Sequence, residues 1–139
     1  MAVTYRVLPQ HNLVLFTYSA AVGLQESIDI IAAAARDPDH RPFMRQLCDL
    51  SAVTSVERNF PALLSMQARI LEDLMPKGHE MVVVFLAPGQ AGQDMARMAQ
   101  KSWAGLDVVK VLVVDNRNAA RDILGLPATA LDDLVGAPS

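Results

Sequence analysis

Met81-Val82-Val83-Val84-Phe85-Leu86-Ala87 is an unbroken apolar run with three consecutive valines. It is too short for an ordinary helix and lacks the alternation of a half-exposed strand, so it reads as a strand covered on both faces, inside a parallel sheet. Val108 to Val114 repeats the pattern, broken only by Lys110. Between the two runs, Ala91 to Ala104 sets Met95, Met98, Ala99, Ser102 and Trp103 at helical spacing. Strand, helix and strand therefore make one parallel crossover unit.

The same alternation extends upstream. Gln46 to Leu50 predicts a short strand. A helix is expected from near Asn59, with Pro61 in its first turn, Phe60, Leu63, Leu64, Ile70, Leu71 and Leu74 at helical spacing, and Pro76 and Gly78 ending it. Leu24, Ile28, Ile31 and Ala35 predict an earlier helix, capped by Gly23 and stopped by Asp37-Pro38. Val3 to Leu8 and Leu13 to Tyr18, split by Pro9-Gln10-His11-Asn12, predict an antiparallel hairpin. Downstream, Asp115 or Asn116 caps a last helix through Leu124.

The expected fold is a single α/β domain over residues 1–125: a mixed, mostly parallel five-stranded sheet with an N-terminal antiparallel hairpin and about four helices. Residues 126–139 form a tail with a short helical turn at Ala130 to Leu134. Right-handed crossovers between strands lying side by side in chain order would put every crossover helix on one face. Val82, Val84, Val111 or their neighbours would then be bare on the other. Either the strand order skips or something covers that face, and a homodimer is one such cover.

Composition narrows the function. The chain has 139 residues, 52% apolar and 19% charged, with 12 Lys and Arg against 15 Asp and Glu. Without a basic run it has no footprint for a phosphate backbone, so nucleic acid is not an expected partner. No apolar stretch approaches the roughly 20 residues that span a bilayer, so no membrane association is expected. Met1 to Gln10 lack the pattern of a secretory signal, and one Cys suits a reducing compartment; a cytoplasmic protein is expected.

The hairpin, the helix ending in Asp37-Pro38-Asp39, and the strand running into Asp49-Leu50-Ser51-Ala52-Val53-Thr54 together resemble the STAS domain of bacterial anti-sigma-factor antagonists. More narrowly, the chain resembles the SpoIIAA-like family of small bacterial proteins, to which the Met95-Ala96-Arg97-Met98 helix and the closing Asn118 to Leu124 helix are also similar. The likeness runs from Tyr5 to Gly125. It implies a cytoplasmic STAS-like α/β domain without a cofactor that binds a protein partner or a small ligand. The antagonists carry a phosphorylatable Ser in an Asp-Ser-Ser-Gly segment eight residues beyond the strand Asp. Here that count from Asp49 reaches Glu57, followed by Arg58, Asn59 and Phe60. An acid stands where the Asp would be, with no hydroxyl after it. The charge-adding switch is absent or has moved to Ser51, Thr54 or Ser55, and sigma-factor regulation is not carried over.

Asp49 and Ser51 fall at the carboxyl end of a central strand, where open α/β sheets gather ligands. With Thr54, Glu57, Arg58 and Asn59 they form a candidate binding rim; the other reading is that they hydrogen-bond the adjacent turn. Gly89 and Gly92 open a helix after a buried strand, an anion-binding arrangement in outline. No Lys followed by Ser or Thr accompanies them, and Met95 stands where a dinucleotide motif wants a third Gly, so a plain strand-to-helix turn is the competing reading. His11, His40 and His79 share no ligand spacing, so neither metal nor cofactor is expected. Cys48 lies in an apolar strand beside Asp49, where burial and a negative neighbour both raise a thiol pKa. Asp132 and Asp133 lie in the tail. Seven Met residues, with Met95 and Met98 on one helix and Met66 and Met75 on another, either fill core gaps or line an adaptable groove.

Two functions are expected from these features. One is a non-enzymatic binding module that presents the Asp49 to Asn59 loop and the second helix to a protein partner. The other is a binder of a small apolar or lipid-like ligand in a Met-lined cavity.

Overall fold

In a computed structural model, described for residues 3–41, 44–56, 61, 64, 65, 67, 68, 81–103 and 109–127, the valine run becomes a strand held between two parallel neighbours. The elements are β1 (Val3–Leu8), a 3-10 turn at Pro9–His11, β2 (Leu13–Val22), α1 (Leu24–Ala35), β3 (Arg45–Val56), β4 (Met81–Leu86), α2 (Gln90–Trp103), β5 (Val109–Val114) and α3 (Arg117–Leu124). The sheet order is β1-β2-β3-β4-β5, with β1 antiparallel to β2 and the remaining pairs parallel. The mixed five-stranded sheet and its N-terminal hairpin are as expected. Three helices are bounded among the described residues, where about four were expected. Of the expected second helix, Pro61, Leu64, Ser65, Gln67 and Ala68 are described and helical; its remaining residues, and the turn at Ala130 to Leu134, lie outside the described residues.

The strands do not skip, and over β2, β3 and β4 the face left open by the crossovers is covered by the chain itself. On one face, Ile31 and Ala34 of α1 and Met95, Ala96, Ala99 and Trp103 of α2 pack on Val14, Phe16, Cys48, Val83 and Phe85. On the other, Ala120 and Leu124 of α3, with Leu126 beyond it, pack on Leu13, Leu15, Leu47, Val84 and Leu86. Val84 is fully buried by this second layer. Val111 packs on the first face and Val82 on the second, because neighbouring positions on paired strands alternate sides. Leu112 and Ile123 remain 40% and 45% exposed.

Local chemistry sets the ends of these elements. Asn116 is the cap of α3, its Oδ1 accepting from the Ala119 N–H at 2.9 Å, and Gly125 ends that helix at φ 65°. Gly92 lets α2 approach the sheet: a Cβ there would lie 3.0 Å from both the Cβ and the carbonyl oxygen of Leu50. β2 and β3 outrun the expected ends at Tyr18 and Leu50, staying paired to Val22 and Val56. Two register shifts, between Thr17 and Ser19 and between Ala20 and Ala21, accompany a left-handed Ala20 at φ 56°. β4 pairs with β3 only as far as Asp49.

Candidate functional site

Alternation along β3 sends Gln46, Cys48 and Leu50 toward α1 and α2, and Leu47 and Asp49 to the opposite face. Between the first set and the two helices lies a cavity of about 60 Å³. Phe16, Tyr18, Met81, Val83 and Phe85 line it from the sheet, with Leu24 and Ile31 from α1 and Met95, Met98, Ala99 and Trp103 from α2. The wall is apolar apart from Tyr18, Ser27, Gln46 and Cys48.

These four polar groups differ in how they are engaged. Burial raises the Tyr18 phenol well above its ordinary pKa, and the nearby Cys48 sulfur adds to this, while a hydrogen bond with Ser27 opposes it. The Ser27 hydroxyl donates in turn to the Gly23 carbonyl at 3.3 Å. Burial, followed by the neighbouring Asp49 charge, pushes the Cys48 thiol up to about 12, so it is a neutral wall group at physiological pH. Gln46 is 7% exposed and faces the hollow from β3.

The rim read from the sequence is only partly assembled among the described residues. Asp49 is buried, and its Oδ1 accepts from the Ser51 N–H at 3.0 Å and the Ser51 hydroxyl at 2.6 Å. That is the local turn arrangement that competed with a ligand-facing role. Ser51 and Thr54 are exposed on the part of β3 that lies beyond its pairing with β4, while Glu57, Arg58 and Asn59 lie outside the described residues. Gly89 is exposed and Gly92 is turned into the sheet against Leu50. Gln93 donates its side-chain amide back to the Ala87 carbonyl at 3.3 Å, so this segment has the geometry of a strand-to-helix turn. Beside it, Gln93, Arg97, Val113 and Asp115 border an open depression at the carboxyl ends of β4 and β5.

His11 and His40 sit in separate loops, and among the described residues no group of three or more His, Cys, Asp or Glu converges as metal ligands. Burial lowers the His40 pKa, with Asp37 opposing. No helix among the described residues is long and apolar enough to cross a membrane. Gln46 had no place in the sequence reading of the site. Its one signal was a polar residue at the start of an otherwise apolar strand, two before Cys48 and so on the same face. A search of protein-family models and of curated proteins finds no match to this chain.

Proposed function

We propose that the chain is a binding module for a small, largely apolar molecule, and not an enzyme, with the cavity between the sheet and helices α1 and α2 as its site. The cavity carries this reading: a largely apolar hollow lined by three aromatic rings of the sheet, Trp103 and three methionines, with a few polar groups. A neutral Cys48 thiol supports binding over covalent chemistry. Size limits the occupant. By the measure on which one water needs about 10–15 Å³, the space admits roughly four to six non-hydrogen atoms. It falls short of the about 150 Å³ in which an apolar cavity binds benzene. A lipid-like chain would therefore enter only if α2 shifted, and Met95 and Met98 are the wall groups best able to adapt. Native mass spectrometry of the gently purified protein, paired with thermal-shift screening of small apolar compounds, tests this. Copurifying or stabilising compounds are expected; a protein that carries none and is stabilised by none contradicts it.

The protein-partner reading rests on a different observation, the exposed residues Ser51, Ala52, Thr54 and Ser55 on a stretch of β3 that β4 leaves unpaired. The resemblance to SpoIIAA-like proteins of the bacterial cytoplasm implies either kind of partner. Replacing Thr54 by Arg and comparing the proteins recovered with each form tests it, and identical recovery would count against that surface.

A further inference from the structure

We propose that the outer edge of β5 pairs antiparallel with the same edge of a second copy of this chain, making one sheet across a two-fold axis that passes between the two Leu112 residues. This is independent of the cavity. β5 ends the sheet, and its residues are more open than those they pair with on β4. Leu112 is 40% exposed where its neighbour Val84 is fully buried, and Val113 is 36% exposed where Phe85 is 7% exposed. The α3 layer that covers Val84 leaves Leu112 open. The opposite edge strand, β1, presents Thr4 and Arg6 to solvent instead. An apolar edge strand is the kind that templates pairing with another chain.

Backbone direction fixes which residues can pair. The Ala87 N–H donates to the Val114 carbonyl at 2.8 Å, so Val114 turns its peptide groups toward β4, and by alternation Leu112 and Lys110 do the same. Val109, Val111 and Val113 turn theirs outward. The side-chain amide of Gln100 lies 3.5 Å from the Val111 carbonyl, on that outer side. A two-fold axis normal to the sheet keeps each face on its own side, so opposed residues must share a face. With the axis at Leu112, Val111 exchanges hydrogen bonds with the partner's Val113, and the two Leu112 side chains meet in a close pair on the α3 face. Lys110 then stands opposite the partner's Val114, one position from the partner's Asp115. The exposed charges at the two ends of β5 are thereby crossed, which is complementarity that a second copy supplies. An axis at Val111 would set Lys110 against the partner's Leu112, and one at Val113 would leave Lys110 outside the paired stretch. A six-residue edge gives less than the about 800 Å² per partner of a standard interface, so a reversible dimer of about micromolar affinity is expected.

Sedimentation velocity of the full chain over about a hundredfold range of concentration tests the dimer. The unaltered protein is expected to pass from monomer to dimer. Leu112→Lys is expected to weaken association about tenfold or more, because it removes the leucine contact and sets like charges across the axis. Cysteine substitution reads the register. Opposed Cα atoms about 4.5 Å apart suit a disulfide, so Leu112→Cys is expected to form a covalent dimer under mild oxidation, and Lys110→Cys is not. A chain that stays monomeric throughout overturns the proposal, as does a dimer that Leu112→Lys leaves unchanged. Cross-linking by Lys110→Cys as fast as by Leu112→Cys overturns the placement of the axis. Should Leu112→Lys fail to fold, the comparison of the two cysteine variants decides.

Discussion

Arg45, the first residue of β3, donates from Nη1 to the carbonyl of Leu124, the last residue of α3, at 2.5 Å. Its Nη2 donates to the His11 carbonyl at 2.6 Å, and Nε reaches the Asn12 carbonyl at 3.5 Å. One guanidinium thus fastens the end of the covering helix to the hairpin turn, using the planar fork that Lys lacks.

Arg45→Met is expected to lower stability by about 2 kcal/mol, because charged hydrogen bonds to several carbonyls are lost and the half-buried acceptors are left open. Arg45→Lys is expected to recover less than half of that. Urea unfolding followed by far-ultraviolet dichroism checks both; a lysine variant as stable as the unaltered protein would contradict the fork geometry.

Gly92 and Gly89 lie three residues apart and should respond differently to the same substitution. Alanine normally improves a helix interior by about 1 kcal/mol over glycine. At Gly92 the new Cβ would press on Leu50 at 3.0 Å, including its backbone oxygen. The helix must move away, and a net loss of about 1–3 kcal/mol is expected. At Gly89 nothing lies within 4 Å of the added Cβ, so Gly89→Ala is expected to be near neutral. Thermal unfolding of the two variants side by side decides the matter.

Ala20 holds a left-handed backbone at φ 56°, a conformation that costs a residue with a Cβ about 1–2 kcal/mol. Ala20→Gly relieves that strain but loosens the unfolded chain. The expected balance is a gain of up to about 1 kcal/mol. A stability loss on calorimetric comparison would mean that the bulge between β2 and β3 is not strained there.

Alkaline pH should destabilise the protein through the cavity wall. Cys48 and Tyr18 have pKa values raised above their ordinary 9.0 and 10.0, so the folded state holds protons that the unfolded state releases. Their contribution is complete below about pH 9 and falls as pH rises toward about 12, the value to which the thiol is pushed. Cys48→Ala is expected to flatten the stability decline between about pH 9 and pH 10, leaving the Tyr18 share above it. Urea midpoints across that range measure the slope; an unchanged slope would contradict the burial of the thiol in its neutral form.

The sheet was legible because its signals are dense: Met81 to Ala87 and Val108 to Val114 admit few readings but buried strands, and Asn116 and Gly125 mark the ends of α3 by their own chemistry. The outer halves of β2 and β3 were not, since Ser51, Ala52, Thr54 and Ser55 face solvent and are held in the sheet by backbone pairing that side-chain pattern does not record. The bare face was anticipated but its cover was not. Ala120 and Leu124 belong to a helix too short to reveal from its sequence which side of the sheet it would join. Asp49 stood out by type and position, yet it turns to Ser51 and away from the cavity face. Gln46, which faces the hollow, is an ordinary residue type whose meaning depends on the cavity beside it.

The most direct test of the cavity as a binding site is a crystal structure determined under xenon pressure, since xenon enters apolar cavities without needing polar partners. Xenon is expected between Phe85 and Met95, with Gln46 at the edge of the occupied volume. A well-ordered interior whose side chains fill that space, with no xenon in it, would contradict the assignment of the site.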